Sequence, residues 1–168
     1  PDMFSFNFNG NSGKFILDSS LNPILLTHSG LQIASATDAN GNLTFKFTTV
    51  DGIQYFFDDD SAMEKTSKRQ LDCGHSFPQP VITAWYLSRI IHPNHDTVSF
   101  TYSPTGSNYK PGIFQSIFQY NSQYIPPACD GGYTDIPIPS IQNSTCLSWL
   151  LTYGGQLTTI HSSGGATV

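Results

Sequence analysis

Apolar and polar residues alternate along much of the first hundred positions of the chain. Between residues 4 and 17 one face of this pattern is apolar on both sides of an Asn/Gly cluster at 9–13: Phe4, Phe6, Phe8, Phe15 and Leu17. A two-residue period on either side of residues that tolerate positive φ predicts a β-hairpin. The stretches 23–27 and 31–37 predict two further strands.

A second hairpin is predicted after the sequence DANGN at 38–42, whose central Asn-Gly pair is the strongest turn signal in the chain. Leu43, Phe45 and Phe47 then share one face, and an Asp-Gly turn at 51–52 reverses the chain. The returning strand repeats the alternation at 53–57. These features predict two antiparallel strands with a common apolar face.

The next segments are harder to assign. Residues 58–70 carry many charges; the residue propensities fit one short helix, and a strand at AMEKT, residues 62–66, is the alternative. Residues 81–103 predict a third hairpin with its turn at 93–96 and a return strand through Val98, Phe100 and Tyr102. In the first strand of this hairpin the residues of one face are Ile82, Ala84, Tyr86 and Ser88, and those of the other are Thr83, Trp85, Leu87 and Arg89.

The composition agrees with this pattern, because aromatic residues reach 13% and 14 Gly and 11 Pro punctuate the chain. The sequence predicts an all-β fold: twisted antiparallel β-hairpins or a meander, in a curled sheet or sandwich with little helix. We expect a single module over 1–168, with hairpin units at about 1–20, 38–60, 82–103 and 150–168. Residues 104–149 are expected to form an irregular insertion.

Charge limits the classes of partner. Charged residues make up only 11% of the 168 positions and the net charge is −5, so a nucleic-acid partner is not expected. No apolar run approaches the roughly 20 residues of a membrane-spanning helix. The chain begins at Pro1 and has no signal-peptide pattern, which suggests a processed chain or an excised piece.

One short pattern occurs twice. LSRIIHPNHDTV at 87–98 and LTTIHSSGGATV at 157–168 share Leu, Ser or Thr, Ile, Thr and Val at corresponding positions seventy residues apart. A single hairpin cannot bury its apolar face, so hairpins of this kind pack beside further copies. The second copy predicts that another strand follows it and that this chain is part of a longer protein.

The repeated pattern resembles the YD-repeat unit of Rhs-type bacterial proteins. In that unit a strand ending in Arg-Ile or Lys-Ile crosses a Pro-Asn-Gly turn into a Thr-Val-x-Phe-x-Tyr strand, which corresponds here to LSRIIHPNHDTVSFTY at 87–102. His95 replaces the usual Gly, and Ser103 replaces the usual Asp. The resemblance covers 1–20, 38–66, 82–103 and 150–168, in the order found at or before the start of a repeat array. It does not extend to 104–149.

This resemblance implies hairpins that stack into a long curled sheet, which in relatives encloses a toxic C-terminal cargo. It implies a secreted or cell-surface location in bacteria, and a non-catalytic structural or scaffold segment as the function. The partners would be the following repeats of the same parent chain. The resemblance carries over no catalytic motif, and we expect neither an enzyme nor a cofactor.

The alternative is a module that binds carbohydrate or protein through an aromatic segment at 109–153. Aromatic faces with nearby Asn and Gln are common in such surfaces, although the same residues also suit a core. The predicted ligand-binding residues are Tyr109, Phe114, Phe118, Tyr120, Tyr124, Tyr133 and Trp149.

The sequence gives only weak indications of a metal site, a disulfide or a catalytic site. His92 with His95, and Cys73 with His75, each lack the second pair of ligands that a zinc site requires. The three Asp at 58–60 suggest Ca²⁺, but a solvated acidic turn explains them equally. Cys129 and Cys146 form the better disulfide pair, with three unpaired cysteines as the alternative. No pair of acids or Cys-His pair stands out as catalytic, so no metal or catalytic residue is assigned.

Overall fold

The computed structural model describes residues 2–27, 30–70, 77–109, 113–119 and 141–167. Within these residues the chain forms twelve β-strands and one 3₁₀ turn at Asp60–Ala62, which confirms the all-β prediction. The strands are β1 (Met3–Phe8), β2 (Asn11–Leu17), β3 (Pro23–Leu25), β4 (Gln32–Thr37), β5 (Leu43–Thr48), β6 (Gln54–Phe57), β7 (Met63–Gln70), β8 (Phe77–Trp85), β9 (Arg89–Ile91), β10 (Thr97–Tyr109), β11 (Ile113–Gln119) and β12 (Ile141–Ser162). No helix in these ranges is long and apolar enough to cross a bilayer.

The strands form two sheets. The smaller has the order β1-β2-β3, and the larger runs β4-β5-β6-β9-β10-β12-β7-β8, with β11 paired to β12 outside this path. Every strand pair with a defined register is antiparallel. Sequence neighbours are therefore not always sheet neighbours, because β9 lies beside β6 and β12 lies between β10 and β7.

The described chain divides into two compact units. The first comprises 1–66, 80–107 and 152–168, and the second comprises 67–79 and 108–151. In the second unit β11 pairs with the first part of β12, from Ile113↔Leu147 to Gln119↔Ile141. Strands thus occur inside 104–149, where irregular structure was expected. Ile-Phe pairs at 113–114 and 117–118 interrupt the apolar–polar alternation, so a two-residue period did not reveal β11.

The core of the first unit is aromatic. One side comes from the small sheet and the other from β5 and β6, so that the ring centroids of Phe6 and Phe47 lie 5.1 Å apart and those of Phe8 and Tyr55 lie 4.8 Å apart. Phe47 and Tyr55 are buried, with 3% and 2% of their surface exposed. The rings meet at tilted or edge-on angles, which adds about 0.5–1.5 kcal/mol per pair beyond the burial of apolar area.

These contacts confirm the faces predicted for the first two hairpins. The apolar positions predicted to face inward from β1, β2, β5 and β6 all belong to the core or pack against it, whereas Met3, Ile16 and Phe56 do not. The first turn is shorter than expected: it is a two-residue loop, Asn9-Gly10, with φ of 43° and 76°, and Phe8 pairs directly with Asn11. Both loop residues have positive φ, which matches the twist of the flanking strands.

Residues 58–70 form no helix beyond the 3₁₀ turn, so the strand alternative is correct. Asp59 caps this turn by accepting a hydrogen bond from the Ser61 N–H at 2.8 Å. β7 then begins at Met63 and lies between β12 and β8. Pairing on both sides, together with burial of Met63 and Thr66, outweighs the helix propensity of the charged residues.

The predicted single strand over 81–91 is wrong. β8 ends at Trp85 and β9 begins at Arg89, and the two strands lie in different parts of the large sheet. The connecting residues are fixed by main-chain hydrogen bonds, from Tyr86 to the Ala62 carbonyl at 2.7 Å and from Ser88 to the Phe56 carbonyl at 2.8 Å. The alternation of faces therefore does not continue from 82 to 89.

Candidate functional site

Five of the described turns share one hydrogen-bond pattern. In each, the residue before a three-residue loop donates its N–H to the carbonyl four positions later, and the third loop residue donates back to the first carbonyl. The donor–acceptor distances lie between 2.8 and 3.1 Å. The equivalent turns, as we call them, are at 18–22, 38–42, 49–53, 92–96 and 162–166. The pattern is that of a hairpin with a three-residue loop.

The third loop residue has positive φ in every equivalent turn. Three of these residues are glycine, as the left-handed region favours. The full set is Leu21 (64°), Gly41 (82°), Gly52 (83°), His95 (73°) and Gly165 (91°). His95 thus adopts the left-handed conformation that glycine adopts in three of the other turns.

The first residue of the turn supplies a side-chain acceptor. Asp38 Oδ1 accepts hydrogen bonds from the N–H groups of Asn40 and Asn42, both at 2.8 Å, and Asp18 makes the same pair of bonds in its own turn. In both cases hydrogen bonds hold the pKa of the carboxyl below its ordinary value. The largest contribution comes from the Asn42 side chain for Asp38, and from the Asn22 backbone for Asp18.

The two copies of the repeated sequence pattern form equivalent turns. Positions 92–96 and 162–166 correspond at an offset of seventy residues, and both first residues accept a side-chain hydrogen bond from the N–H two positions later. The first turn leads into β10, and the second leads to an antiparallel bridge between His161 and Thr167. The sequence repeat therefore corresponds to a repeated local structure.

The two turns also contact one another. The N–H of Ser163 donates to the carbonyl of Thr97 at 2.8 Å, and the N–H of Thr97 donates to Ser163 Oγ at 3.0 Å. Farther along the strands, Thr158 Oγ1 donates to the carbonyl of Thr101 at 3.0 Å. The second copy thus lies directly beside the first in the sheet.

The strand that enters the first copy is anchored by its Arg-Ile step. Arg89 contacts Asp58 at 2.6 Å between Nη2 and Oδ2, and its guanidinium lies 4.3 Å from the centre of the Phe56 ring. Ser88 Oγ donates to the other oxygen of Asp58 at 2.6 Å. Because the Arg89 side chain is 45% exposed, this ion pair contributes little free energy and mainly fixes the strand's position.

The return strand is anchored by its final tyrosine. The Tyr102 ring stacks on Tyr86 at a centroid distance of 5.8 Å, and its hydroxyl donates to the Leu87 carbonyl at 2.8 Å. Burial raises the pKa of both tyrosines, and the nearby Glu64 carboxylate adds to the increase for Tyr86. Gly155 makes this packing possible, because a Cβ there would lie 2.8 Å from Tyr102 Cβ.

The acidic residues at 58–60 are engaged within the protein. Asp58 binds Arg89, Asp59 caps the 3₁₀ turn, and Asp60 lies 2.6 Å from Lys65 Nζ. In the described ranges no three His, Cys, Asp or Glu side chains come together as metal ligands. His92 and His95 sit within one exposed turn, whereas His75, Cys73 and Cys129 lie outside the described residues.

The aromatic segment proposed as a ligand surface is described only in part. Tyr120, Tyr124 and Tyr133 lie outside the described residues. Four other positions are located on strands through their backbone alone: Tyr109 on β10, Phe114 and Phe118 on β11, and Trp149 on β12. A carbohydrate- or protein-binding role for this segment stays a prediction.

Sequence reasoning missed two groups that hold the repeated hairpins. Asp58 joins the residue pair before β9, but nothing in its own surroundings indicated a partner thirty positions away. Gly155 had a usable signal, since two consecutive glycines at 154–155 within a strand indicate a close approach of another group. Comparison with known proteins adds no relative: no family model, curated protein or solved structure matches this chain significantly.

Proposed function

We propose that this chain is a non-catalytic structural segment of a large secreted or surface-attached bacterial protein of the YD-repeat kind. Its role is to supply β-hairpins that add side by side to one sheet, and its partners are the following repeats of the same parent chain. The observation that carries the proposal is the equivalence of the turns at 92–96 and 162–166, together with their direct contact through Thr97 and Ser163.

The geometry supports this role through the strand that the second turn begins. After 162–166 the chain reverses, and Thr167 forms a bridge with His161 as Thr97 pairs with Ile91 after the first turn. A strand continuing in this direction would run antiparallel along β12 beside 157–161. Leu157 is 45% exposed, and such a strand would cover it.

The test is to extend the chain by a copy of the first return strand. Val168 corresponds to Val98, so Ser-Phe-Thr-Tyr-Ser, copied from 99–103, is added after Val168. The matched control adds Ser-Pro-Thr-Pro-Ser, which cannot donate at the two proline positions. We expect the first extension to raise the thermal midpoint by about 2–4 °C for each kcal/mol gained, and to slow hydrogen exchange at 157–161.

With the control extension, the thermal midpoint and the hydrogen exchange at 157–161 should stay at the values of the original chain. If the two extensions behave alike, the second turn does not start a pairing strand, and the proposed function fails. If the copied strand raises the midpoint but also produces dimers, the added strand pairs between chains rather than within one, which also contradicts the proposal. Sedimentation velocity separates these cases.

A further inference from the structure

A cleft of about 770 Å³ opens between two strand edges of the first unit. One side is β1 along its whole length, and the other is residues 80–85 of β8. Aromatic rings form its floor, including those of Phe45 and Phe57. At one end the two sides approach one another, because the rings of Phe4 and Trp85 are 5.9 Å apart.

Both sides of the cleft are edge strands. Among the strands that the structure describes, β1 pairs with β2 alone and β8 pairs with β7 alone. An edge strand offers a row of backbone N–H and C=O groups to any extended chain beside it. Two such rows border the same apolar floor here.

The hairpin geometry identifies which groups of β1 are offered. Phe8 and Asn11 flank a two-residue loop, so they form a hydrogen-bonded pair, and such pairs alternate along an antiparallel ladder. Phe6 and Phe4 are bonded to β2 in the same way. The N–H and C=O groups of Ser5 and Asn7 therefore point away from β2, towards the cleft.

The β1 edge carries none of the features that usually prevent pairing. Proteins protect free edges with lysine, proline, bulges or inward-pointing charges. The sequence MFSFNF of β1 contains no charged residue and no proline, whereas β8 contains Pro78 and Pro80, and Pro80 lines the cleft. β1 is thus the edge that is chemically suited to receive a strand.

The surroundings of the cleft are acidic. Among the residues that the structure describes, Asp2 is the only charged one that lines it. Directly behind the lining, Asn42 Nδ2 donates to Asp38 and Asp60 at 2.9 Å, and Thr83 Oγ1 donates to Glu64 at 2.7 Å. Lys65 neutralises part of this charge through Asp60, and Lys14 lies opposite Ser5 in the register of β1 and β2, so acidic residues still outnumber basic ones around the cleft. An occupant with positive charge on its solvent side would complement this rim.

We propose that the cleft binds an extended polypeptide segment that adds to β1 as a further strand. Alternate apolar side chains of the segment face the aromatic floor, and lysine or arginine residues lie between them on the solvent side. Main-chain hydrogen bonds supply affinity and the floor supplies specificity. This inference is independent of the structural role proposed above, which concerns β12 and the turn at 162–166.

The probe is a fluorescein-labelled peptide, Lys-Val-Thr-Val-Lys-Val-Thr-Val-Lys, titrated with the full chain by fluorescence anisotropy. We expect saturable binding that weakens with added salt, because part of the attraction is electrostatic. Two control peptides separate the contribution of main-chain hydrogen bonds from that of charge. One carries N-methyl groups on its internal amides and cannot donate to the edge, and the other has Glu in place of every Lys.

The matched protein variants are Ser5→Pro and Ser5→Ala. Proline removes an N–H that points into the cleft, whereas alanine keeps it and changes only an exposed side chain. We expect Ser5→Pro to weaken binding about three- to tenfold, the loss of one hydrogen bond, and Ser5→Ala to leave it unchanged. The thermal midpoints of both variants show whether they fold.

Either of two results would overturn the inference: equal binding of the N-methylated and parent peptides, or equal binding of the parent and Glu-substituted peptides. The peptide controls use the unmodified protein, so they decide the question even if Ser5→Pro fails to fold. A dimer of the free chain that Ser5→Pro abolishes, with no binding of the peptide, would assign the cleft to a second copy instead and would also overturn the proposal.

Discussion

Two regions of the first unit differ in what holds them together. The aromatic core joins strands distant in sequence through buried rings, as in the contact between Phe8 and Tyr55. Each equivalent turn instead closes within five residues through main-chain hydrogen bonds at the surface. Burial of apolar area supplies most of the folding free energy, whereas the turns set loop length and register.

This difference explains why the turns tolerate so much variation. The five equivalent turns have the sequences DSSLN, DANGN, TVDGI, HPNHD and SSGGA, yet they form the same main-chain hydrogen bonds. One property recurs in all five turns, a residue with positive φ at the fourth position. In four of them the side chain of the first residue also accepts a hydrogen bond from the N–H two positions later. A repeated unit can therefore diverge at its turns while keeping its shape, but the core positions have no such freedom.

The largest effect is expected in the core. Phe47→Ala removes a ring that is 3% exposed and contacts Phe8 of the small sheet and Phe57 of the large sheet. We expect it to lower the free energy of unfolding by about 3–5 kcal/mol, measured by urea denaturation. The control is Phe56→Ala on the neighbouring strand, where the ring lies under Arg89 on the other face and is partly exposed.

Phe56→Ala should cost clearly less, about 1 kcal/mol, because it loses a surface cation–π contact and little burial. Equal losses of unfolding free energy for the two variants would show that the core and the outer face contribute alike to stability. The proposed contrast between a buried core and a solvent-exposed surface would then be incorrect.

A smaller effect is expected where the repeated hairpins pack together. A Cβ at Gly155 would lie 2.3 Å from the Ser61 carbonyl oxygen, whereas one at Gly154 would lie 3.7 Å from the Glu64 side chain and 3.9 Å from the Tyr86 hydroxyl, which are ordinary van der Waals contacts. We expect Gly155→Ala to destabilise the chain by about 1–3 kcal/mol through overlap. Gly154→Ala, its matched control, should be neutral or slightly stabilising. Similar thermal midpoints for both variants would contradict this packing.

Sequence patterns predicted the local elements well. Alternating Phe positions identified the faces of β1, β5 and β6, because a two-residue period with aromatic residues has few other interpretations. Asn-Gly and Asp-Gly pairs marked two of the equivalent turns correctly. The turn predicted at 93–96 forms at 92–96, and its offset copy at 162–166 has the same geometry.

The order of the strands in the large sheet could not be predicted from the sequence. Nothing near Trp85 signals that the chain leaves one part of the sheet and that β9 joins β6 in another, because pairing partners depend on contacts between distant residues. The cleft follows from that order, since it exists only where β1 and β8 are both edges. Asp58 and Ser88 also meet only after the strands have been arranged.

The smallest effect is expected in a turn, and it depends on pH. Because hydrogen bonds lower the folded-state pKa of Asp38, its contribution to stability is present above the unfolded pKa and is lost as the pH falls through the folded value. Asp38→Ala should therefore lower the thermal midpoint more at pH 7 than at pH 2. Asn40→Ala, in the same turn, changes no ionisable group, and its effect should not depend on pH in this range.

If the effect of Asp38→Ala is the same at both pH values, the carboxylate does not stabilise the turn through its charge. The hydrogen bonds from Asn40 and Asn42 would then be replaceable by water.

The turns at 92–96 and 162–166 are two copies of one structural unit, and transplanting one loop into the other turn tests this equivalence. Pro93, Asn94 and His95 are replaced together by Ser-Gly-Gly, the sequence of 163–165, and the thermal midpoint is measured. We expect a change of no more than about 2–4 °C, equivalent to 1 kcal/mol, because loop length and the positive φ at position 95 are kept.

The control is the same transplanted loop with Val in place of its last Gly. It should lower the midpoint further, because a β-branched residue disfavours the positive φ that position 95 requires. If the transplanted loop destabilises the chain as much as this control does, the two turns are not interchangeable. The chain would then not consist of repeated hairpins.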